Sequence, residues 1–203
     1  MEVNKSEIIN YLNEFIENVG QSVINLKKNI DDNFLDVLNE LLNHKGKIFI
    51  SGSGTSGIIA RRMSHVLSCI EMPVSFIHPS DGLHGASGAV QMDDIVIIIS
   101  KGGESDDANE FASIARQRGA FIIAVTENSK STLALMSNKV LLYSSNENRM
   151  QEGYITFSNS LCSACITDAL VVALMKLRDY DEKKLGSIHP SGAVGKKLRN
   201  LKS

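Results

Sequence analysis

Two loops rich in glycine and serine have the composition of phosphate-binding sites. Loop one, Ser51–Ser56, lies between a short apolar run and a stretch with helical apolar spacing. Loop three, Ser100–Ser105, follows another apolar run and leads into Asp106 and Asp107, which favour the first turn of a helix. Glycine lets backbone N–H groups approach an anion, and the helix dipole favours negative charge there. Together the loops predict one anion held between two helix N-termini. For loop one, a tight turn with a capping serine is the alternative.

The first loop also resembles a dinucleotide-binding pattern. Gly52, Gly54 and Gly57 spell G-x-G-x-x-G. A dinucleotide fold usually carries an acidic residue at the end of the second strand to hold the ribose hydroxyls. Here the second apolar run ends in His78-Pro79, and Asp81 comes only after the proline. The pattern therefore gives little support to a nucleotide, and we predict no cofactor.

Histidine and glutamate near these loops could move protons. Loop two, residues 78–85, contains His78 and His84, and His189 stands near the C-terminus. Histidine is suited to proton transfer near neutral pH. Glu104, in loop three, could take a proton alpha to a carbonyl. Each residue has a structural alternative, which is hydrogen bonding for a histidine and a first-turn helix charge for Glu104.

The periodicity of apolar residues predicts the elements that position these loops. Residues 1–45 have helical spacing and predict two helices, the second running through Val23, Ile30, Phe34 and Leu42. Short runs apolar on both faces then alternate with helices, which implies a parallel sheet covered on both sides. We predict a three-layer α/β/α sandwich with a five-stranded parallel sheet. The predicted strands are Lys47–Ser51, Val74–Ile77, Ile95–Ile99, Phe121–Val125 and Val140–Tyr143, and the predicted helices between and after them are Ser56–Ile70, Asp106–Gln117, Ser131–Met136 and Ser158–Arg178.

Length, composition and charge restrict the class of protein. The 203 residues suffice for one α/β domain, and we predict a single domain over residues 1–203. The net charge of −2 gives no reason to expect nucleic acid or an acidic membrane surface as a partner. The apolar runs are too short to span a bilayer, and the N-terminus has no signal-peptide core. We therefore predict a cytoplasmic protein.

The three cysteines fit a reduced compartment. Cys162 and Cys165 have the spacing of a redox pair, but they lie among small apolar residues of a predicted helix. We predict that they are buried helix residues. No second pair exists to build a zinc site, so no metal is predicted.

Five motifs occur in order along the chain. They are Gly52-Ser-Gly-Thr-Ser-Gly57, His78-Pro79 with Leu83-His84-Gly85, Ser100–Ser105, Asp168-Ala-Leu170 and His189-Pro-Ser-Gly-Ala-Val-Gly195. In this order they resemble the SIS (sugar isomerase) domain and, within it, the arabinose 5-phosphate isomerase group. The resemblance covers nearly the whole chain. It implies a phosphosugar held by loops one and three and by the start of the last long helix.

The resemblance also implies roles for individual residues. Glu104, His84 and His189 correspond to the proposed catalytic groups, and His189 is expected to reach the site of a neighbouring subunit. The implied substrate-binding residues are Ser53, Gly54, Thr55, Ser56, Ser100, Lys101, Ser105, Ser158 and Ser160. Proteins of this kind are usually homotetramers or homodimers, and their reaction requires no metal.

The chain departs from the group within the implied substrate pocket. Isomerases of the group have lysine where this chain has Thr55, aspartate where it has Ala86, and serine where it has Gly102. Their Thr-Ser-Ser-Thr before the long helix reads Phe157-Ser-Asn-Ser160 here. Lys101 could return a positive charge from the opposite wall of the site. Two hypotheses follow: an aldose–ketose isomerase, or a phosphosugar-binding or sensing module without catalysis.

Overall fold

A five-stranded parallel sheet positions the candidate site. The computed structural model describes residues 4–146, 155, 157–189, 191–193, 195 and 197. The strands are β1 (Ile48–Ser51), β2 (Val74–Phe76), β3 (Ile95–Ile99), β4 (Phe121–Thr126) and β5 (Lys139–Leu142). They are all parallel, in the order β2-β1-β3-β4-β5. The predicted sheet is confirmed, and each strand boundary lies within one residue of its predicted place.

Eight α-helices lie in the described part of the chain, and they cover both faces of the sheet. They are α1 (Lys5–Asn25), α2 (Asp32–Asn43), α3 (Gly54–Ser68), α4 (Pro79–Leu83), α5 (Asp106–Gln117), α6 (Thr132–Met136), α7 (Phe157–Leu177) and α8 (Glu182–Ile188). The predicted three-layer sandwich is therefore confirmed.

Two local predictions were wrong. The second N-terminal helix is interrupted, because Asp31 accepts a hydrogen bond from the N–H of Phe34 at 3.0 Å and caps a new helix there. Loop two contains the one-turn helix α4, which begins at Pro79. Proline suits the first position of a helix because its fixed φ angle is already helical.

The core consists of two layers that share the sheet. On one face, α2, α3 and α7 pack on Ile48, Ile50, Ile97 and Ile99. On the other face, α5 and α6 pack on Phe49, Val96 and Ile98. All five residues of β3 are buried, as expected for the central strand of a covered parallel sheet.

Helix α7 is a core element. By length and composition it could cross a membrane, and 39% of its most apolar window is buried inside the protein. It packs against α1, α2 and α3, which is the environment of a core helix in a globular protein. Cys162 is buried in it and Cys165 is half-buried. The prediction that these cysteines are buried helix residues is thus confirmed for Cys162 and partly confirmed for Cys165.

The order of the strands places loops one and three side by side. The chain runs from β1 to β2 on one side of β1 and then returns to β3 on the other side. Helix α3 leaves β1 on one face, and α5 leaves β3 on the opposite face. Ligands of open parallel sheets bind in the crevice at such a reversal. Loop one also lies against β3, because a Cβ atom on Gly52 would lie 2.9 Å from the carbonyl oxygen of Ile99.

Candidate functional site

Two helices begin at this crevice without a side-chain cap. Ser53 and Ser105 are the N-cap residues of α3 and α5, and neither serine side chain accepts a bond from its own helix. In α1, α2, α4 and α6, by contrast, the N-cap side chain does so. Serine is among the strongest N-cap residues. The first turns of α3 and α5 therefore lack the serine cap, and helix N-termini of this kind can accept an anion in its place.

Loop one is shaped by close backbone contacts. Gly54 has a φ of +54°, which glycine adopts at no steric cost. A Cβ on Gly57 would lie 2.6 Å from the carbonyl oxygen of Gly52, so the loop lies directly against its own helix. Thr55 is exposed and Ser56 is half-buried in the first turn of α3. These two predicted binding residues therefore lie at the crevice.

Loop three is held by its neighbours in the fold. Ser100 is buried; its N–H donates to the carbonyl of Val125 at 3.0 Å, and its Oγ accepts from the N–H of Gly103 at 3.2 Å. Gly103 has a φ of +68°, and a Cβ there would lie 2.1 Å from Ser131 Oγ. The carbonyl of Lys101 accepts from Thr126 Oγ1 at 2.8 Å. The loop thus has a fixed backbone.

Glu104 is bound to helix α6. Its Oε1 accepts from the N–H of Thr132 at 3.0 Å, and its Oε2 accepts from Thr132 Oγ1 at 2.7 Å. The bond from the Thr132 hydroxyl, with that from the backbone N–H second, lowers the pKa of Glu104. The carboxylate is exposed, ionised and already hydrogen-bonded. Its structural role is thus to connect loop three to α6.

The structure places the two catalytic histidine candidates differently. His84 is exposed at the end of α4, on the carboxyl side of the sheet next to β2. His189 is exposed one helical turn after Leu185, to whose carbonyl its N–H donates at 3.0 Å. Leu185 packs near Cys69 at the far end of α3, whose 15 residues span roughly 22 Å. Within one chain, His189 is therefore not brought to loops one and three. Pro190 and Val194, in the motif that follows His189, lie outside the described residues.

The start of α7 is joined to the carboxyl end of β5. Asn159 Nδ2 donates to the hydroxyl oxygen of Tyr143 at 3.0 Å, and both residues are buried. Burial is the main cause that raises the pKa of Tyr143 above its ordinary value. Ser158 is buried beside this pair, and Ser160 Oγ donates to the carbonyl of Phe157 at 2.8 Å. The hydroxyl proton of Ser160 is therefore engaged by its own helix.

Three residues of the site were not among the predicted site residues. Asp107 Oδ2 accepts from Ser53 Oγ at 2.7 Å, Thr132 holds Glu104, and Asn109 Nδ2 donates to the carbonyl of Gly103 at 3.2 Å. Ser53 and Asp107 are 54 positions apart, and Glu104 and Thr132 are 28 apart. No local pattern links such distant residues, so the sequence carried no signal for these pairs.

The open parallel sheet with two serine loops at its strand-order reversal defines an α/β domain of the kind that binds a ligand at this crevice. The model of the SIS domain family matches residues 41–173. The chain belongs to this family. The match does not extend over the whole chain, so the single domain over residues 1–203 stays a prediction.

The chain is similar to arabinose 5-phosphate isomerases. It is 34% identical over 193 residues to arabinose 5-phosphate isomerase KpsF of Escherichia coli, an alignment that covers 94% of this chain and 61% of the relative. The chain thus spans less than two thirds of that relative's length.

Two solved structures have the same fold. A candidate sugar-phosphate isomerase from Listeria monocytogenes matches with a TM-score of 0.87 and 26% identity, over 94% of this chain and 100% of the other. A protein of E. coli CFT073 in complex with arabinose 5-phosphate matches with a TM-score of 0.80 and 25% identity, over 93% and 100%.

Proposed function

We propose that this protein binds a sugar phosphate and interconverts its aldose and ketose forms, as an arabinose 5-phosphate isomerase does. The observation that carries the binding step is the pair of serine N-caps, Ser53 and Ser105, that leave α3 and α5 uncapped at one crevice. The phosphate would accept from the first-turn N–H groups, supported by the hydroxyls of Ser56, Ser100 and Ser105. Similarity to KpsF and to the arabinose 5-phosphate complex supports this class of ligand.

The proposed reaction is proton transfer between adjacent carbons of the open-chain sugar. With the phosphate anchored, Glu104 takes the proton from the carbon next to the carbonyl and an enediolate forms. Reprotonation at the other carbon then completes the isomerisation. His84 is exposed on the same side of the sheet and would shuttle hydroxyl protons. Anchoring the phosphate fixes the reacting carbons relative to these groups.

His189 would complete the site from a neighbouring subunit. Its position supports this, because Leu185, one turn before His189, lies beside Cys69 at the far end of α3 from the crevice. The proposal therefore includes a homotetramer or homodimer. We also keep the cytoplasm as the expected location, which the free cysteines support.

A phosphosugar-binding module without catalysis is the second candidate. Two observations favour it: the Glu104 carboxylate is engaged by Thr132, and Thr55 stands where isomerases of the group have lysine. A lowered pKa makes Glu104 a weaker base. Such a module would bind the same ligands through the same two loops.

The two candidates differ in turnover. We expect sugar phosphates, D-arabinose 5-phosphate among them, to raise the melting temperature of the protein because they bind the folded state alone. We further expect at least one of these ligands to be isomerised when product is followed by NMR. Stabilisation without product, at high enzyme concentration and over a panel of pentose and hexose phosphates, would establish the non-catalytic module. No stabilisation by any member of the panel would refute both candidates.

A further inference from the structure

An acidic side chain stands between the two uncapped helices. Asp107 is the second residue of α5, and its Oδ2 accepts a hydrogen bond from Ser53 Oγ, at the start of α3, at 2.7 Å. Its Oδ1 accepts from the N–H of Ala108 at 2.9 Å. The side chain is half-buried. Its carboxylate is thus fixed at the junction of loops one and three.

This position is close to the one an anion would take. A serine that caps its own helix places its oxygen on the first-turn N–H groups, and an anion bound there replaces that oxygen. Ser53 instead turns its hydroxyl to Asp107. The carboxylate and a bound phosphate would both lie beside this one hydroxyl, within a few ångströms of each other.

Two negative charges at that separation repel each other. At roughly 5 Å this repulsion is only partly screened by salt. The same positive helix ends that attract a phosphate also stabilise the carboxylate in the ligand-free protein. A phosphate therefore has to compete with Asp107 for this position.

We propose that Asp107 is a specificity-determining residue that lowers the affinity of the site for phosphate and its esters by acting as an internal competing anion. This inference rests on the proposed phosphate binding at loops one and three, but not on turnover. The charge of Asp107 would weaken the binding of a phosphorylated ligand and so let it dissociate more readily. The affinity of a ligand that carries less negative charge would be lowered less.

The test compares two aspartates in the same helix turn. Asp107→Asn removes the charge and keeps a side-chain oxygen that can accept from Ser53. Asp106→Asn removes an equal charge one residue earlier, where the side chain is exposed and is not held to loop one by the Ser53 bond. Binding of inorganic phosphate and of D-arabinose 5-phosphate is measured by calorimetry at low and high salt, and folding is checked by thermal melting. Asp107→Ser is the second variant if Asp107→Asn does not fold.

We expect Asp107→Asn to lower the Kd for both ligands by roughly tenfold at low salt, and the gain to shrink as salt screens the charge. Asp106→Asn should change the Kd by less than about twofold. Equal effects of the two substitutions, or weaker binding by Asp107→Asn, would overturn the inference while leaving phosphate binding intact. If neither the parent nor any variant binds phosphate, the proposed function fails with it. Binding by Asp107→Asn alone would support the inference in its strongest form.

Discussion

Glu104→Gln is expected to lower kcat for sugar-phosphate isomerisation by roughly 10²- to 10⁴-fold, the usual contribution of a general base. The substitution removes the proposed base but can keep the hydrogen bonds that its side chain makes. A glutamine oxygen can still accept from the N–H of Thr132, and the amide group can donate to Thr132 Oγ1, so the link to α6 is preserved. The melting temperature should therefore change little. The measurement is kcat and KM from initial rates, with melting recorded on the same preparations.

Thr132→Val provides the complementary variant. It keeps the carboxylate and the backbone bond to it, but it removes the hydroxyl whose bond is the main cause of the lowered pKa of Glu104. The pKa of Glu104 should therefore rise in this variant. Because the base must be ionised, the acid limb of the kcat/KM profile should move to higher pH, while the rate at alkaline pH stays near that of the parent.

The same pKa shift contributes to stability with a defined sign. Since the folded-state pKa of Glu104 lies below its unfolded value, the contribution is present above the unfolded pKa and is lost as the pH falls through the folded pKa. Thr132→Val should reduce this acid-dependent loss.

If Glu104→Gln retains the parent rate, Glu104 serves only as the connection between loop three and α6, and the non-catalytic module gains support.

Gly57→Ala is expected to destabilise the protein by about 1–3 kcal/mol and to abolish most phosphate binding. The added Cβ would lie 2.6 Å from the carbonyl oxygen of Gly52. Gly52 cannot move away easily, because it lies against the carbonyl of Ile99 on β3. The strain therefore falls on loop one. The measurements are urea unfolding and calorimetric titration with inorganic phosphate.

Gly20→Ala is the matched control for this prediction. Gly20 also lies inside a helix, α1, but a Cβ there would meet nothing within 4 Å. Alanine in an exposed helix interior is favoured over glycine, so this variant should stabilise the protein by about 0.5–1 kcal/mol and leave phosphate binding unchanged. A stable Gly57→Ala variant with normal phosphate binding would show that loop one is not the anion site.

Much of the fold was predictable because its signals are local. Runs such as Ile95–Ile99 are short, β-branched and apolar on both faces, which is typical of a buried strand of a parallel sheet. Interruptions were harder to predict. The break at Asp31 depends on one side chain bonding three residues ahead, and the one-turn helix at Pro79 is too short to show a period.

The residue types and spacing of loops one and three predicted an anion site, since glycine-rich turns that lead into a helix N-terminus favour bound anions. The hydrogen-bond partners of the site's side chains, by contrast, depend on contacts between distant parts of the chain. Ser53 meets Asp107 because β1 and β3 are neighbours in the sheet, and Glu104 meets Thr132 because α5 and α6 pack on the same face. Sequence patterns extend over a few residues, whereas these bonds span 54 and 28. For this reason the folded chain alone shows that the predicted base is already hydrogen-bonded and that an aspartate stands beside the predicted anion site.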